Sequence, residues 1–408
     1  MLTKSESQQI KIEEHMKKVE LFLEKYNNSA LRDKIKNVSG FLDEIVQKYI
    51  KVLCRRFPVD KGCIDNLLLI KDFSVEPIGI GELGHAGMLI DDLDVKKFKL
   101  HYELKLLPNI DTAFLKNEIP SNLKEGEVDN YNREAARNIV VFLHELTHAM
   151  CYLEFLKYDE EKKEYVPLMK EDVAKEDYIY YKAYGGLITN RNEVHGKKVI
   201  QGLNISKDWL YEAMTEFIAH NVLLDKEFQD LQYLNLSTEE INPYNIPWSY
   251  SPFVNIIFAL NSLYNNAFSV AYFTGDTKGA GFDKDCLNVD IVDISVPLNE
   301  IIHYFNDNKK EGIDLKECVH ALVNGIKKFL NFIEKTLERE DVKANLNDFR
   351  IKSLNNEIQN ICRCNDYVNF VLEKCKINEE NFKELKQIFE TKFKNLEPIT
   401  IEKSNLNI

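Results

Sequence analysis

The sequence has no basic run: 53 lysines and arginines stand against 66 aspartates and glutamates, a net charge of −13. A chain that follows a phosphate backbone concentrates Lys and Arg, so nucleic acid is not an expected partner. Nor is there a long uninterrupted apolar run. The most apolar stretch, Pro252 to Phe273, contains Asn255, Asn261, Asn265 and Asn266, and such amides are costly in hydrocarbon. A buried helix is expected there, with no membrane insertion. The opening residues, MLTKSESQQIKIEEHMKK, lack the apolar core and small-residue cleavage site of a secretory leader. A cytoplasmic protein is therefore expected, with export by a leaderless route left open. The eight cysteines make no CxxC pair, which favours reduced thiols. Cys362 and Cys364 have no second Cys or His pair nearby to complete a four-ligand site and read as ordinary helix cysteines. Internal repeats are also absent.

What is present is a globular composition, 44% hydrophobic over 408 residues, enough for a sizeable core and for more than one domain. Residues 4–57 carry apolar positions at helical spacing, read as two antiparallel helices broken near Asn27 and Asn28 and ended before Pro58. From Lys97 to Leu106, KFKLHYELKL alternates strictly between apolar and polar residues, the mark of a strand. Asn130 to Leu156 reads as one long helix with the motif HELTH in its middle, and 157–177 as a charged, solvated hairpin or loop. A further helix runs from an N-cap at Ser206 to Leu224. The apolar helix, a turn at TGDTKGAGFDKD and a helical C-terminal region from about Pro297 follow. The resulting expectation is an α+β, predominantly α protein: a helical region at 1–58, a catalytic domain with a small mixed sheet at 59–285 and a helical region at 286–408.

The chemistry concentrates at His144-Glu145-Leu146-Thr147-His148. Histidines at i and i+4 lie about 40° apart around a helix and one turn apart along it, so both can reach one ion. Glu145 stands where this arrangement places the base that acts on water at the ion. Leu143, Leu146, Ala149 and Met150 put the motif on a buried helix, against the plain alternative of two core histidines beside a salt-bridged glutamate. A catalytic zinc site needs a third protein ligand.

Downstream, Trp209-Leu-Tyr-Glu212-Ala-Met-Thr-Glu216-Phe resembles the ligand helix of the gluzincin metallopeptidases, the thermolysin-like superfamily. The segment also resembles glutamate-zincins of low-GC bacteria whose ligand helix reads N-E-G-x-T-E-Y and is followed by Y-F-x-G-D; here Tyr272-Phe-Thr-Gly-Asp276 stands at the second place. The likeness spans roughly residues 95–280 and departs from the thermolysin pattern in having Tyr211 where asparagine commonly precedes the ligand. It implies a zincin-like fold, one catalytic Zn2+, Glu212 as third ligand and Glu216 as the acid that accepts the free N–H of a ligating histidine. Glu171, Glu176 and Glu193 are less favoured third ligands because they sit in polar segments. The rival HExxHxxGxxH class does not fit, since Cys151 and Glu154 occupy its glycine and histidine positions.

The implied activity is hydrolysis of a peptide or protein substrate, with Glu145 as general base. His195, Tyr184 and Tyr211 are the candidates for a second donor to the oxyanion, and the strand at Lys97–Leu106 is expected to be the sheet edge that aligns an extended peptide. Two other readings compete with a housekeeping peptidase. One is a leaderless metallopeptidase effector acting on proteins of another cell; the other is a non-catalytic helical interaction protein that keeps the frame. Gly79-Ile-Gly81-Glu-Leu-Gly84 reads as a glycine-rich turn and not a dinucleotide fingerprint, because no βαβ unit surrounds it. His85 and His220 read as structural histidines.

Overall fold

The computed structural model describes residues 4–76, 84–90, 100–106, 111–168, 178–183, 191–195, 198–202, 205–234, 250–264, 267–274, 292–306, 312–375 and 377–402. In chain order the elements are α1 (Lys4–Asn27), α2 (Ala30–Val38), α3 (Gly40–Arg56), α4 (Lys61–Leu67), β1 (Ile70–Val75), β2 (Gly84–Ile90), β3 (Leu100–Leu106), α5 (Thr112–Leu115) and α6 (Glu125–Ala149). There follow β4 (Leu153–Asp159), β5 (Glu164–Leu168), β6 (Tyr178–Ala183), β7 (Arg191–His195), β8 (Lys198–Gly202), α7 (Ile205–Leu223), α8 (Ser251–Tyr264) and α9 (Ala267–Thr274). The chain ends with α10 (Val292–Asn306), α11 (Leu315–Leu337), α12 (Glu340–Lys343), α13 (Asp348–Ile361), α14 (Cys364–Lys374) and α15 (Glu379–Phe393). The protein is mostly helical, as its composition and periodicity suggest. Its described buried apolar residues form one continuous core from Phe22 to Ile401. No helix is long and apolar enough to cross a membrane among the described residues.

The expected pair of N-terminal helices is three. The break after Asn27 is where the sequence places it, but Ser39 interrupts the second helix. Its hydroxyl accepts from the Leu42 N–H to cap α3, while its own N–H closes α2 on the Ile35 carbonyl, the dual use that makes serine a helix boundary. The single apolar helix expected at 252–273 is likewise two, α8 and α9, with Asn265 and Asn266 between them and outside the described residues.

Two sheets form. One is small and mixed, in the order β1-β3-β2, with β3 parallel to β1 and antiparallel to β2. The strand expected at its edge, within Lys97–Leu106, is thus its centre. Alternation of apolar residues marks which face a strand buries, and says nothing of which backbones flank it. The other sheet has the order β5-β4-β6-β7-β8 and every pairing in it is antiparallel. Its strands lie between HELTH and Glu212, where a charged hairpin or loop was expected at 157–177. A hairpin forms in the first part of that span, β4 and β5 pairing from Asp159–Glu164 to Phe155–Leu168.

The expected helix 130–156 runs instead from Glu125 to Ala149, so HELTH lies at its C-terminal end and not in its middle. Glu127 begins it by accepting the Lys124 N–H at 3.0 Å. Tertiary bonds end it: Tyr152 N–H donates to the Tyr272 carbonyl at 2.9 Å and the Asn66 amide to the Cys151 carbonyl at 2.9 Å. Leu153, Phe155 and Leu156, apolar residues that extended the helical reading, are strand residues of β4.

The N-terminal helices brace this centre. Tyr49 on α3 makes a 2.8 Å hydrogen bond with Thr147, and Lys48 reaches Asp230 at 2.9 Å just beyond α7. Asp225, buried at the same end of α7, accepts from Arg56 at 2.8 Å and from Arg55. Burial raises its pKa, but Arg56, the Glu227 N–H and Arg55 outweigh that and hold it below the usual carboxylate range. A depressed folded-state pKa adds stability that is complete above the unfolded value near 4 and fades as pH falls through the folded value. Asp225→Asn is therefore expected to cost about 1–2 kcal/mol at neutral pH. Denaturant titrations at several pH values check this: the gap between wild type and variant should hold above about pH 5 and close below about pH 4.

In the C-terminal region Pro297 sits inside α10 and has no N–H to offer the Asp293 carbonyl one turn back. Gly325 of α11 lies against that carbonyl, where a Cβ would come within 2.2 Å of the oxygen. Glycine is what lets the two helices approach so closely.

Candidate metal centre

Three side chains converge where α6 and α7 meet. His144 Nε2 lies 3.0 Å from Glu212 Oε2, His148 Nε2 lies 3.2 Å from the same oxygen, and the two imidazole nitrogens are 2.9 Å apart. Among the described residues this is the one group of three or more His, Cys, Asp or Glu side chains with metal-ligand spacing. Tetrahedral zinc with bonds of 2.0–2.2 Å to nitrogen and oxygen sets its ligand atoms about 3.3 Å apart. The observed triangle is slightly tighter than that, and its donor types, two imidazoles and one carboxylate, suit zinc.

The fold explains the convergence. Residues at i and i+4 share a helix face, and the face holding His144 and His148 turns toward α7 because Leu143, Leu146 and Ala149 are buried around it. The histidines fall in the last turns of α6, where the helix dipole is negative and favours a cation. α7 is enclosed on nearly all sides from Ala213 to Leu223, packed against α6, α8 and α10, and this orders Glu212 opposite the histidines. Burial raises the Glu212 pKa, yet the charge and hydrogen bonds of His148 and His144 outweigh it and the carboxyl is held far below its ordinary value. It stays a carboxylate, the form a ligand needs.

Glu145 is buried beside His144. Glu216, also buried, accepts the Tyr250 N–H at 3.0 Å, and its other oxygen lies 3.7 Å from His220 Nε2. The Thr215 hydroxyl lies 3.5 Å from His148 Nδ1. His220 is a core histidine, 1% exposed.

Of the expected oxyanion donors, Tyr184 lies outside the described residues. His195 ends β7 and Tyr211 precedes Glu212 on α7, but the side chains of both are outside the described set. So are those of Glu193 and His85, while Glu171, Glu176 and most of the Gly79–Gly84 segment are wholly outside it. Tyr250 was missed. Its ring stacks near that of His144, centroids 6.1 Å apart at 12°, and the Lys374 ammonium of α14 lies over the Tyr250 ring, 4.1 Å from its centroid. Burial first, then Glu212, Glu216 and Glu145, push its phenol well above the usual tyrosine range, so it remains a proton donor. No local pattern marked it, since Tyr250 reaches the site only through the packing of α8 on α7.

Cys54, Cys63, Cys151, Cys318, Cys362, Cys364 and Cys375 carry thiols that are not in disulfides. Burial raises those of Cys362 and Cys364 to about 11, which fits inert thiols; of the two expected helix cysteines, Cys364 opens α14 while Cys362 caps the end of α13. Family models, curated proteins and solved structures offer no match to this chain.

Proposed function

We propose that this chain is a zinc-dependent metallopeptidase of the gluzincin type, with a zincin-like catalytic region built around α6 and α7. The observation that carries the proposal is the meeting of His144 Nε2, His148 Nε2 and Glu212 Oε2 within 3.2 Å. Without a cation, three lone-pair donors on two buried helices are costly to hold together. Bound by these residues, zinc would supply Lewis acidity, lowering the pKa of a water toward neutrality and polarising a carbonyl.

Glu145, next to the first ligand and itself buried, takes the water proton and returns it to the leaving amine. Tyr250 joins His195, Tyr184 and Tyr211 as a candidate to donate a hydrogen bond to the oxyanion. Glu216 fixes the Tyr250 backbone against the ligand helix. An extended substrate pairs with β2, which is at the edge of the mixed sheet among the described residues and packs against α6.

Elemental analysis after reconstitution with zinc, followed by digestion of a mixed peptide library, tests this reading. About one ion per chain and time-dependent cleavage are expected, the stoichiometry being that of a single three-ligand catalytic site. Failure to retain zinc would end the peptidase reading and favour the non-catalytic interaction protein. Cleavage restricted to proteins of a foreign cell would instead select the effector reading.

A further inference from the structure

Helix α3 carries a phenol to the helix that bears the two histidines. Tyr49 and Thr147 are both fully buried, and the Tyr49 phenol oxygen lies 2.8 Å from Thr147 Oγ1. Thr147 Oγ1 in turn donates to the Leu143 carbonyl at 2.7 Å. A carbonyl oxygen only accepts, and a hydroxyl has a single proton to give. The Thr147 proton is therefore committed to Leu143, and the proton between the two hydroxyls comes from Tyr49. Burial pushes the Tyr49 phenol above the usual tyrosine range, which keeps that proton in place. The bonds run in one direction, from Tyr49 through Thr147 to Leu143.

Leu143 and Thr147 each precede a proposed ligand by one residue, so this bonded pair spans the same helical turn as His144 and His148. A threonine hydroxyl that bonds back to the carbonyl four residues earlier favours a slight bend of the helix, and here the bend falls in the turn that spaces the two imidazoles. Their Nε2 atoms stand 2.9 Å apart and 3.0 and 3.2 Å from Glu212 Oε2. Metal bonds hold their lengths to within about 0.2 Å, so a small change in that turn is felt at the ion.

The same α3 also grips the chain just past α7, which bears Glu212. Lys48, next to Tyr49, donates to the Glu227 carbonyl and to Asp230 at 2.9 Å each, and Arg56 donates to Asp225 at 2.8 Å. We infer that Tyr49 is a positioning residue for the metal centre: its bond to Thr147 sets the turn that aims His144 and His148 at one ion. The N-terminal helices are thereby part of the catalytic unit and not an appended region. This inference rests on the metal reading above.

The test compares zinc affinity, by competition with a chromophoric chelator, in the full-length protein and in Tyr49→Phe, Thr147→Val and Thr147→Ser. Thermal unfolding of the metal-free forms is measured alongside, and affinities are taken well below the lowest unfolding temperature. There every variant is native, so lost stability by itself leaves the affinity unchanged. Tyr49→Phe keeps the ring and loses the hydroxyl; it should weaken zinc binding about tenfold, as loss of a group that orients ligands does. Thr147→Val, which keeps the shape and removes both bonds, should lose at least as much, whereas Thr147→Ser should stay within about threefold of wild type. Adding Tyr49→Phe to Thr147→Val should change little, since both remove one link. Wild-type affinity in Tyr49→Phe, however far its unfolding temperature falls, overturns the inference alone and makes Tyr49 a packing residue. Wild-type affinity in Thr147→Val does the same. A wild-type protein that binds no zinc overturns the metal reading and the inference together.

Discussion

Glu145→Gln is expected to lower kcat/KM for peptide hydrolysis about a thousandfold while leaving about one zinc per chain, since a positioned general base contributes roughly 10²–10⁴ in rate and is not itself a ligand. Glutamine keeps the size and the buried position of Glu145 and loses only the ability to accept and return a proton. Because the variant abolishes proton transfer and leaves binding intact, the loss should appear in kcat with KM little changed. Steady-state kinetics beside metal analysis of the same sample check it. An active Glu145→Gln that still holds zinc would remove Glu145 from the mechanism and require another base.

Glu212→Ala should instead release the metal. Four-ligand zinc sites bind with roughly 10–16 kcal/mol, so one ligand is worth about 3 kcal/mol, or at least a hundredfold in affinity. Glu212 Oε2 contacts both imidazoles, so its loss would leave two nitrogens 2.9 Å apart without that anion beside them. A second reading of the same change is thermal. Zinc at about 1,000 times its Kd stabilises the native state by about 4 kcal/mol, which in a chain of this size is a rise in Tm of roughly 5 °C. Wild type should show that rise on adding zinc and Glu212→Ala should not. Glu212→Gln, which keeps the shape, guards against a variant that merely misfolds. Zinc retained at wild-type affinity in both would move the third ligand elsewhere.

Much of the centre was legible along the chain because its information is local. His144, Glu145 and His148 share one helical turn, and the i, i+4 rule is enough to place two imidazoles on one face. The break at Asn27 is local too, and the charged run at 157–177 marked a hairpin or loop where β4 and β5 pair. Glu212 was suggested by likeness to a ligand helix, and its position against the histidines follows from the contact of α6 with α7.

The rest depended on contacts between distant segments, to which periodicity is blind. Leu153 to Leu156 are as apolar as the helix before them, and only the Tyr152–Tyr272 and Asn66–Cys151 bonds decide that α6 stops at Ala149. The alternation of β3 named its buried face, while its central place came from β1 and β2 arriving on either side. Tyr250 is unremarkable in sequence; it is drawn to the centre by standing near His144 in space. The sequence by itself thus determined the candidate His-Glu-His group and the helix that carries two of the three proposed ligands, because these rest on spacing along one backbone. Tertiary structure alone decided what surrounds and orients them, because that rests on packing between residues tens to more than a hundred positions apart.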